Sequence, residues 1–179
     1  MASHNLTSEL FTRFKTALDS RSRPLVMGVL NLTPDSFVDG GQFLKTNDAL
    51  EHAQAMLNAG ADIIDIGAES SRPGATVVSL VDELDRLKYI LPECSKAKIP
   101  VSLDTYKPEV MSFGLNNGVI LLNDIYGFTR PGVAQMFSRC RRTDFYACIM
   151  HMQGRPTTMQ QAPSYSMLIQ ELQDFPSFS

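Results

Sequence analysis

Polar side chains stand where the short apolar runs of this sequence end. These positions are Asn31, the stretch Glu69 to Arg72, Asp104, Asn123 and His151. Amide, carboxylate and guanidinium groups at strand ends can hydrogen-bond a ligand, and the sequence has no nucleophile elbow or Walker loop. A single Asn or Asp after a strand is more often a turn or helix-capping residue. Because several recur in register, the pattern predicts one shared binding site.

Alternation along the predicted strands places these groups on one face. Successive side chains point to opposite sides of a strand, so Val29 shares a face with Asn31, and Ser102 with Asp104. Asn123 closes the corresponding row of its own run. The spacing predicts a ring of hydrogen-bonding groups above a packed interior.

Two further polar residues have competing interpretations. Asp65 lies within an apolar run, on the face of Ile63, which predicts a buried carboxylate that needs hydrogen-bond partners. A structural acceptor is favoured there over a catalytic group. His151 lies between Met150 and Met152 with no second histidine nearby, and a structural role is favoured over metal binding.

Two loops carry further candidates. Residues 33–41 place two Asp and two Gly around Phe37, directly after the first run, and a Phe at a loop tip indicates that the loop closes over a ligand. The sequence Ser71-Arg72-Pro73-Gly74 fits either a turn with a surface Arg or a phosphate-binding loop. Both interpretations of the second loop stay open.

Strands and helices alternate along the sequence. The apolar runs, predicted as buried strands, are residues 25–32, 62–68, 99–103, 119–122 and 145–150. Helical stripes cover Ala49 to Leu57, ended by Gly60, and Leu80 to Leu91, begun by a Ser79–Asp82 cap and ended by Pro92. Alternation of this kind indicates an α/β fold with a parallel sheet.

Further helices are predicted at both ends of the sequence and between the later strands. Pro108 and Pro131 each suit the first turn of a helix. A late helix is indicated by Met167, Leu168 and Leu172. An N-terminal helix is expected to pack on the body of the fold through one side; its apolar residues are Leu6, Leu10, Phe11, Phe14 and Leu18. The predicted division is a helical segment at 1–23 and one domain at 24–179.

Two architectures fit the alternation. A doubly wound open sheet accommodates five strands in 179 residues, whereas a (β/α)8 barrel typically needs about 250. Length favours the open sheet, but the ring of polar strand ends favours the barrel.

Composition excludes several classes of protein. The sequence is 44% hydrophobic with a net charge of -3 and no long run of one sign, which argues against a broad nucleic-acid surface but not against a local anion site. No apolar stretch approaches the roughly 20 residues of a membrane helix, so no membrane partner is expected. The odd number of cysteines predicts reduced thiols and a cytoplasmic location.

Five motifs together resemble the dihydropteroate synthase family. They are residues 27–41 (MGVLNLTPDSFVDGG), 65–75 (DIGAESSRPGA), 101–105 (VSLDT), 123–125 (NDI) and 150–154 (MHMQG). The resemblance covers about residues 24–163. It implies a (β/α)8 barrel that joins 4-aminobenzoate to the diphosphate of 6-hydroxymethyl-7,8-dihydropterin, with Mg²⁺ as cofactor and pyrophosphate released, in folate biosynthesis.

The resemblance also implies roles for individual residues. Asn31 would contact the magnesium–pyrophosphate unit. Asp104 and Asn123 would hydrogen-bond the pterin ring. Ser71, a substrate-binding residue, stands where the family usually has Thr, and its hydroxyl keeps the same donor and acceptor. The remaining roles are ring packing by Ile125 and Met150, phosphate contact by Arg72, stabilisation of a cationic methylene by Asp39, and walls of the aminobenzoate and sulfonamide site from Phe37 and Pro73.

The family pattern extends beyond this sequence. Its Asp-Pro-Gly-Phe-Gly, Ser-Arg-Lys and Arg-x-His motifs do not occur here. The expectation is a protein truncated at its C-terminus relative to the family, with about the first five β/α units and incomplete sites. Such a protein is expected to be unstable, to aggregate or to oligomerise; a homodimer is left open. An enzyme of the family and a non-catalytic pterin-binding or partner-binding remnant are both retained, with methyltetrahydrofolate-using barrels a weaker third interpretation.

Overall fold

Five parallel strands alternate with helices in the computed structural model, which describes residues 2–32, 42–69 and 77–175. Each strand lies within two residues of its predicted ends. The elements in sequence order are α1 (Ala2–Ser20), β1 (Met27–Asn31), α2 (Gln42–Asn58), β2 (Ile63–Gly67), α3 (Leu80–Lys96), β3 (Val101–Asp104), α4 (Pro108–Asn116), β4 (Leu121–Asp124), α5 (Val133–Arg139), β5 (Tyr146–Ile149) and α6 (Leu168–Asp174). Among these residues no helix combines the length and apolar character that crossing a membrane requires.

Strand order decides between the two predicted architectures. The strands lie side by side in the order β1-β2-β3-β4-β5, all parallel. A doubly wound sheet reverses its strand order at a switch point, and this sheet does not. The order is that of the first five units of a (β/α)8 barrel. Within the described residues β1 and β5 each pair with one strand only.

The outer face of the sheet carries the main hydrophobic core. Leu30, Ile66, Leu103 and Leu122 point outward from their strands and are at most 2% exposed beneath the helices. The helix α4 approaches so closely that a Cβ at Gly114 would overlap the side chain of Leu103. Burial of this outer face forces the alternate residues of each strand onto the inner face, where the predicted site residues lie.

The N-terminal helix packs across the lower end of the sheet, as predicted. Phe11 and Phe14 contact the ring of Tyr146, with ring centroids 5.1 and 6.2 Å apart. They form a second apolar cluster with residues at the starts of the strands, including Ile63. Leu18 is predicted on the same side but is 43% exposed. The division of the protein at residue 23 stays a prediction.

Two helix boundaries differ from prediction. Pro92 is expected to end its helix, but α3 continues to Lys96. Proline removes only the hydrogen bond to the carbonyl of exposed Lys88, and the buried Leu91 and Cys94 on either side hold the helix against the core. Pro131 is expected in the first turn of α5, but that helix begins at Val133, because the intervening Gly132 has a left-handed φ of 89°.

Three successive helices end in the same hydrogen-bonded turn. At the end of α2, Ala61 N donates to Met56 O and Gly60 N to Leu57 O, with Gly60 at a φ of 109°. This is the Schellman motif, so the predicted role of Gly60 is confirmed. The helix α4 repeats it with Gly118 at the left-handed position. In α3 that position is occupied by Lys98, with a φ of 58°.

Replacing Lys98 by Gly is expected to stabilise the protein by about 0.5 kcal/mol. A side chain at a left-handed φ costs about 1 kcal/mol, and part of the gain is offset because glycine makes the unfolded state more flexible. Urea unfolding measures the difference. Lys96→Gly, two residues earlier inside the helix, is the matched control and should destabilise by about 1 kcal/mol. If both changes lower the free energy of unfolding equally, the interpretation that the backbone of Lys98 is strained is contradicted.

Candidate functional site

Three of the predicted polar residues, Asn31, Asp104 and Asn123, lie in one register row of the inner face. Strand pairing aligns Asn31 with Gly67, Gly67 with Asp104, Asp104 with Asn123, and Asn123 with Cys148. We call these five residues the mouth row, because they close the carboxyl-terminal end of the sheet, where barrel enzymes bind ligands. Gly67 contributes no side chain, and a Cβ there would lie 3.5 Å from Asp104 Oδ2.

Asp65 lies one layer below the mouth row and is 6% exposed. Ser102 Oγ donates to Asp65 Oδ1 over 2.5 Å, and Asn123 Nδ2 donates to Asp65 Oδ2 over 3.3 Å. Burial raises the pKa of Asp65, and these two donors act in the opposite direction. The predicted structural acceptor is confirmed. Its bond to Asn123 passes across β3, which requires the sheet to be concave on this side.

Asp104 is the most perturbed carboxyl group of the site. Burial raises its pKa to about 7, and the neighbouring carboxylates of Asp65, Asp124, Glu83 and Glu69 add to the effect. A carboxyl group whose pKa is raised to near neutral pH by its surroundings is typical of a functional position. Asp104 can therefore accept hydrogen bonds from a ligand as a carboxylate, or donate one when protonated.

The turn after β4 brings Ile125 beside the end of β5. Asp124 holds this turn by accepting from Tyr126 N and Phe128 N, each over 2.8 Å. At Gly127, with a φ of 58°, a Cβ would lie 2.9 Å from Met150 O. The turn and the start of the Met150 loop thus touch, and Ile125 and Met150, both half-buried, lie next to the mouth row.

A largely buried ion cluster at the same end of the sheet is not predicted by the sequence motifs. Lys107 Nζ bridges the carboxylates of Glu69 and Glu83; Thr105 Oγ1 also donates to Glu83, and Tyr106 OH to Glu69. Burial lowers the pKa of Lys107, but the two carboxylates outweigh it and the pKa is raised. The helical spacing of residues along α3 is the sequence signal that could have revealed this cluster.

That signal concerns Glu83 in particular. It lies four residues before Leu87 on the apolar stripe of α3 and is 1% exposed. The cluster joins Glu69, which precedes residues 70–76, to the helix that follows them. It therefore ties β2 to α3 and to the start of α4 beside the mouth row.

The remaining predicted residues divide into two groups. The ring of His151 packs at an angle against Tyr165 and edge-on against Phe175, with centroids 5.7 and 5.0 Å apart, in agreement with a structural role. The three cysteines are free, as predicted. Across the described ranges no three His, Cys, Asp or Glu side chains converge in a way that could hold a metal ion. Five predicted site residues lie outside the described residues: Phe37, Asp39, Ser71, Arg72 and Pro73.

Comparison with known proteins agrees with this geometry. The sequence pattern of the family described as pterin binding enzyme matches residues 27–177. The dihydropteroate synthase of Escherichia coli K12 is 44% identical over 158 residues, which cover 88% of this protein and 55% of that enzyme.

Solved structures are similar as well. The Burkholderia cenocepacia dihydropteroate synthase complexed with 7,8-dihydropteroate is 42% identical, with a TM-score of 0.70 over 87% of this protein and 51% of that one. The Xanthomonas albilineans enzyme with 4-aminobenzoic acid is 37% identical, with a TM-score of 0.68 over 84% and 52%. The sequence spans about 55% of the length of the first curated relatives it matches. From the matched pattern and the mouth row together, the protein belongs to the family of pterin-binding enzymes.

Proposed function

We propose that this protein carries the first half of a dihydropteroate synthase site, which condenses 6-hydroxymethyl-7,8-dihydropterin diphosphate with 4-aminobenzoate to give 7,8-dihydropteroate and pyrophosphate. The observation that carries this proposal is the pairing of Asp104 with Asn123 in the mouth row. A carboxylate and an amide side by side complement a pterin ring, whose edge presents adjacent donors and acceptors.

The proposed chemistry needs positioning and charge stabilisation more than a strong base. Pyrophosphate is a good leaving group once its charge is neutralised, so bond breaking can precede attack by the weakly basic amine. Asp104 and Asn123 would orient the ring, while Ile125 and Met150 would pack on its faces. Ser71, Arg72, Asp39, Phe37 and Pro73 keep the roles that the family resemblance implies.

Magnesium is part of this proposal. Asn31 ends β1 in the mouth row and is exposed, so its amide oxygen is open to a hard cation. Mg²⁺ in proteins usually keeps several waters and is held by one or two carboxylates together with substrate phosphates; here Asn31 would supply a neutral amide oxygen in place of a carboxylate. Bound there, the ion would supply neutralisation of the pyrophosphate charge.

The test is pyrophosphate release by the purified protein with both substrates and Mg²⁺, measured beside binding of the pterin diphosphate. Binding and release that both vanish in Asp104→Ala are expected. Asp85→Ala, an exposed acidic residue on α3, is the matched control and should change neither. If Asp104→Ala retains both pterin diphosphate binding and pyrophosphate release, the proposed role of Asp104 is contradicted.

A second candidate function is pterin binding without turnover. It needs only the ring contacts proposed for Asp104 and Asn123, which are neighbours in the mouth row, and not the phosphate contact proposed for Arg72. The same experiment separates the two candidates, because binding without pyrophosphate release supports the second. Absence of binding from folded protein would exclude both.

A further inference from the structure

The carboxamide of Asn123 has one fixed end and one open end. Its Nδ2 donates to Asp65, and within the residues that the structure describes, its Oδ1 takes no hydrogen bond. An amide side chain is nearly symmetric in shape, but one end only donates and the other only accepts. Which end of the amide faces the ligand therefore decides whether the site recognises a donor or an acceptor on that ligand.

Asp65 decides that orientation. It is 6% exposed and is held from the other side by Ser102, whose hydroxyl donates to Asp65 Oδ1. An ionised carboxylate only accepts hydrogen bonds, so the donating end of Asn123 must turn toward it. The acceptor Oδ1 then faces away from Asp65. It lies in the same register row as the carboxylate of Asp104 on the neighbouring strand.

We infer that Asp65 is a positioning residue for ligand selection. It fixes the carboxamide of Asn123 with Oδ1 toward the ligand, so that Asn123 and Asp104 together accept hydrogen bonds from a ring edge that carries donors. This inference rests on the proposed function, in which the ligand is a pterin. The 2-amino group of a pterin is such a donor. A ring with oxygen at the same position offers a second acceptor instead and leaves Asn123 Oδ1 unpaired.

The site should therefore discriminate between two pteridines of nearly the same shape. The probes are 6-hydroxymethylpterin, which carries the 2-amino group, and its 2,4-dioxo analogue, with dissociation constants measured by fluorescence at one pH and salt concentration. The unmodified protein is expected to prefer the 2-amino ring by about tenfold or more, since an unpaired buried polar group costs about 1–3 kcal/mol.

Asp65→Asn tests the orientation at constant shape. The new amide at position 65 can donate as well as accept, so the carboxamide of Asn123 is free to turn. The preference for the 2-amino ring is expected to fall about tenfold. The double change Asp65→Asn with Asn123→Asp exchanges the two groups, restores a donor at 65 and an acceptor at 123, and is expected to recover the preference. A purely structural role for Asp65 would not move the ratio between the two rings.

A measurement without ligand keeps the inference testable if neither ring binds. The side-chain amide signal of Asn123, identified by its absence in Asn123→Asp, should show one proton shifted downfield by the Asp65 carboxylate, and Asp65→Asn should reverse that shift. An unchanged signal together with an unchanged ring preference overturns the inference. A shifted signal in a protein that binds neither ring retains the orientation by Asp65 and rejects the proposed function.

Discussion

Asp104→Asn should make the folded protein more stable at pH 8 while lowering its proposed affinity for pterins by at least about tenfold. Asp104 has a pKa of about 7 in the folded state, against 3.8 for an unperturbed Asp, and burial is the main cause. Between these values the folded state binds more protons than the unfolded state. The free energy of unfolding therefore falls as the pH rises from about 4 to about 7. Asn does not ionise, so the variant escapes this loss.

Urea unfolding at pH 5 and pH 8 measures the effect. The advantage of Asp104→Asn should grow between the two pH values and reach about 2–4 kcal/mol at pH 8, because each pKa unit corresponds to about 1.4 kcal/mol. Asp85→Asn is the control, since Asp85 is exposed and pairs with Lys88 on the same helix; it should change stability by less than about 0.5 kcal/mol. A variant less stable than the parent at both pH values would show that the ionised carboxylate is compensated in the fold.

Gain of stability together with loss of binding would identify Asp104 as a functional group retained against its folding cost. Pterin affinity should drop at least about tenfold, because the amide replaces a charged acceptor with a neutral one that also donates. Stability and ligand affinity are commonly opposed at binding sites in this way.

Lys107→Met is expected to give the largest destabilisation, about 3–5 kcal/mol. The side chains of Lys107 and Glu83 are 14% and 1% exposed, and Lys107 is the ammonium group that bridges Glu83 to Glu69. Removing it leaves two neighbouring carboxylates in a poorly solvated place, and breaking a buried ion pair from one side costs this much. Met keeps most of the volume of the lysine stem, so loss of packing contributes little.

The matched control for Lys107→Met is Lys88→Met, which removes the same kind of ammonium group at the surface. Lys88 pairs with Asp85, and both side chains are at least 40% exposed, so the change should cost less than about 0.5 kcal/mol. Adding Glu83→Gln to Lys107→Met should recover part of the loss, because one uncompensated charge is removed. Similar midpoints of urea unfolding for the two lysine variants would mean that the cluster contributes no more than a surface pair.

Much of the fold could be predicted because each strand combines apolar residues with a polar end. Burial of Leu30 and Leu122 on the outer face fixes the inward direction of Asn31 and Asn123, and alternation alone is enough to infer it. Capping residues allow the start of a helix to be predicted in the same way. Ser79 Oγ accepts a hydrogen bond from Asp82 N at the start of α3. Local chemistry settles these features.

The parts that could not be predicted depend on contacts between distant residues. Glu69 and Lys107 are 38 positions apart and meet only because β2 and β3 are neighbours. Asn123 reaches Asp65 only because the sheet curves across β3. The prediction at Pro92 was wrong for a related reason, since burial of Leu91 and Cys94 outweighs a single lost backbone hydrogen bond.

The alignment of the mouth row makes ligand affinity a reporter of folding accuracy. A slip of one residue in the pairing of a strand turns all its side chains to the opposite face. In β1 such a slip would replace Asn31 with Leu30 at the site, and in β4 it would exchange Asn123 for Leu122. Misregistered molecules therefore lose recognition altogether rather than in part. The fraction of a preparation that binds pterin at saturation should consequently count its correctly paired molecules, which circular dichroism does not distinguish.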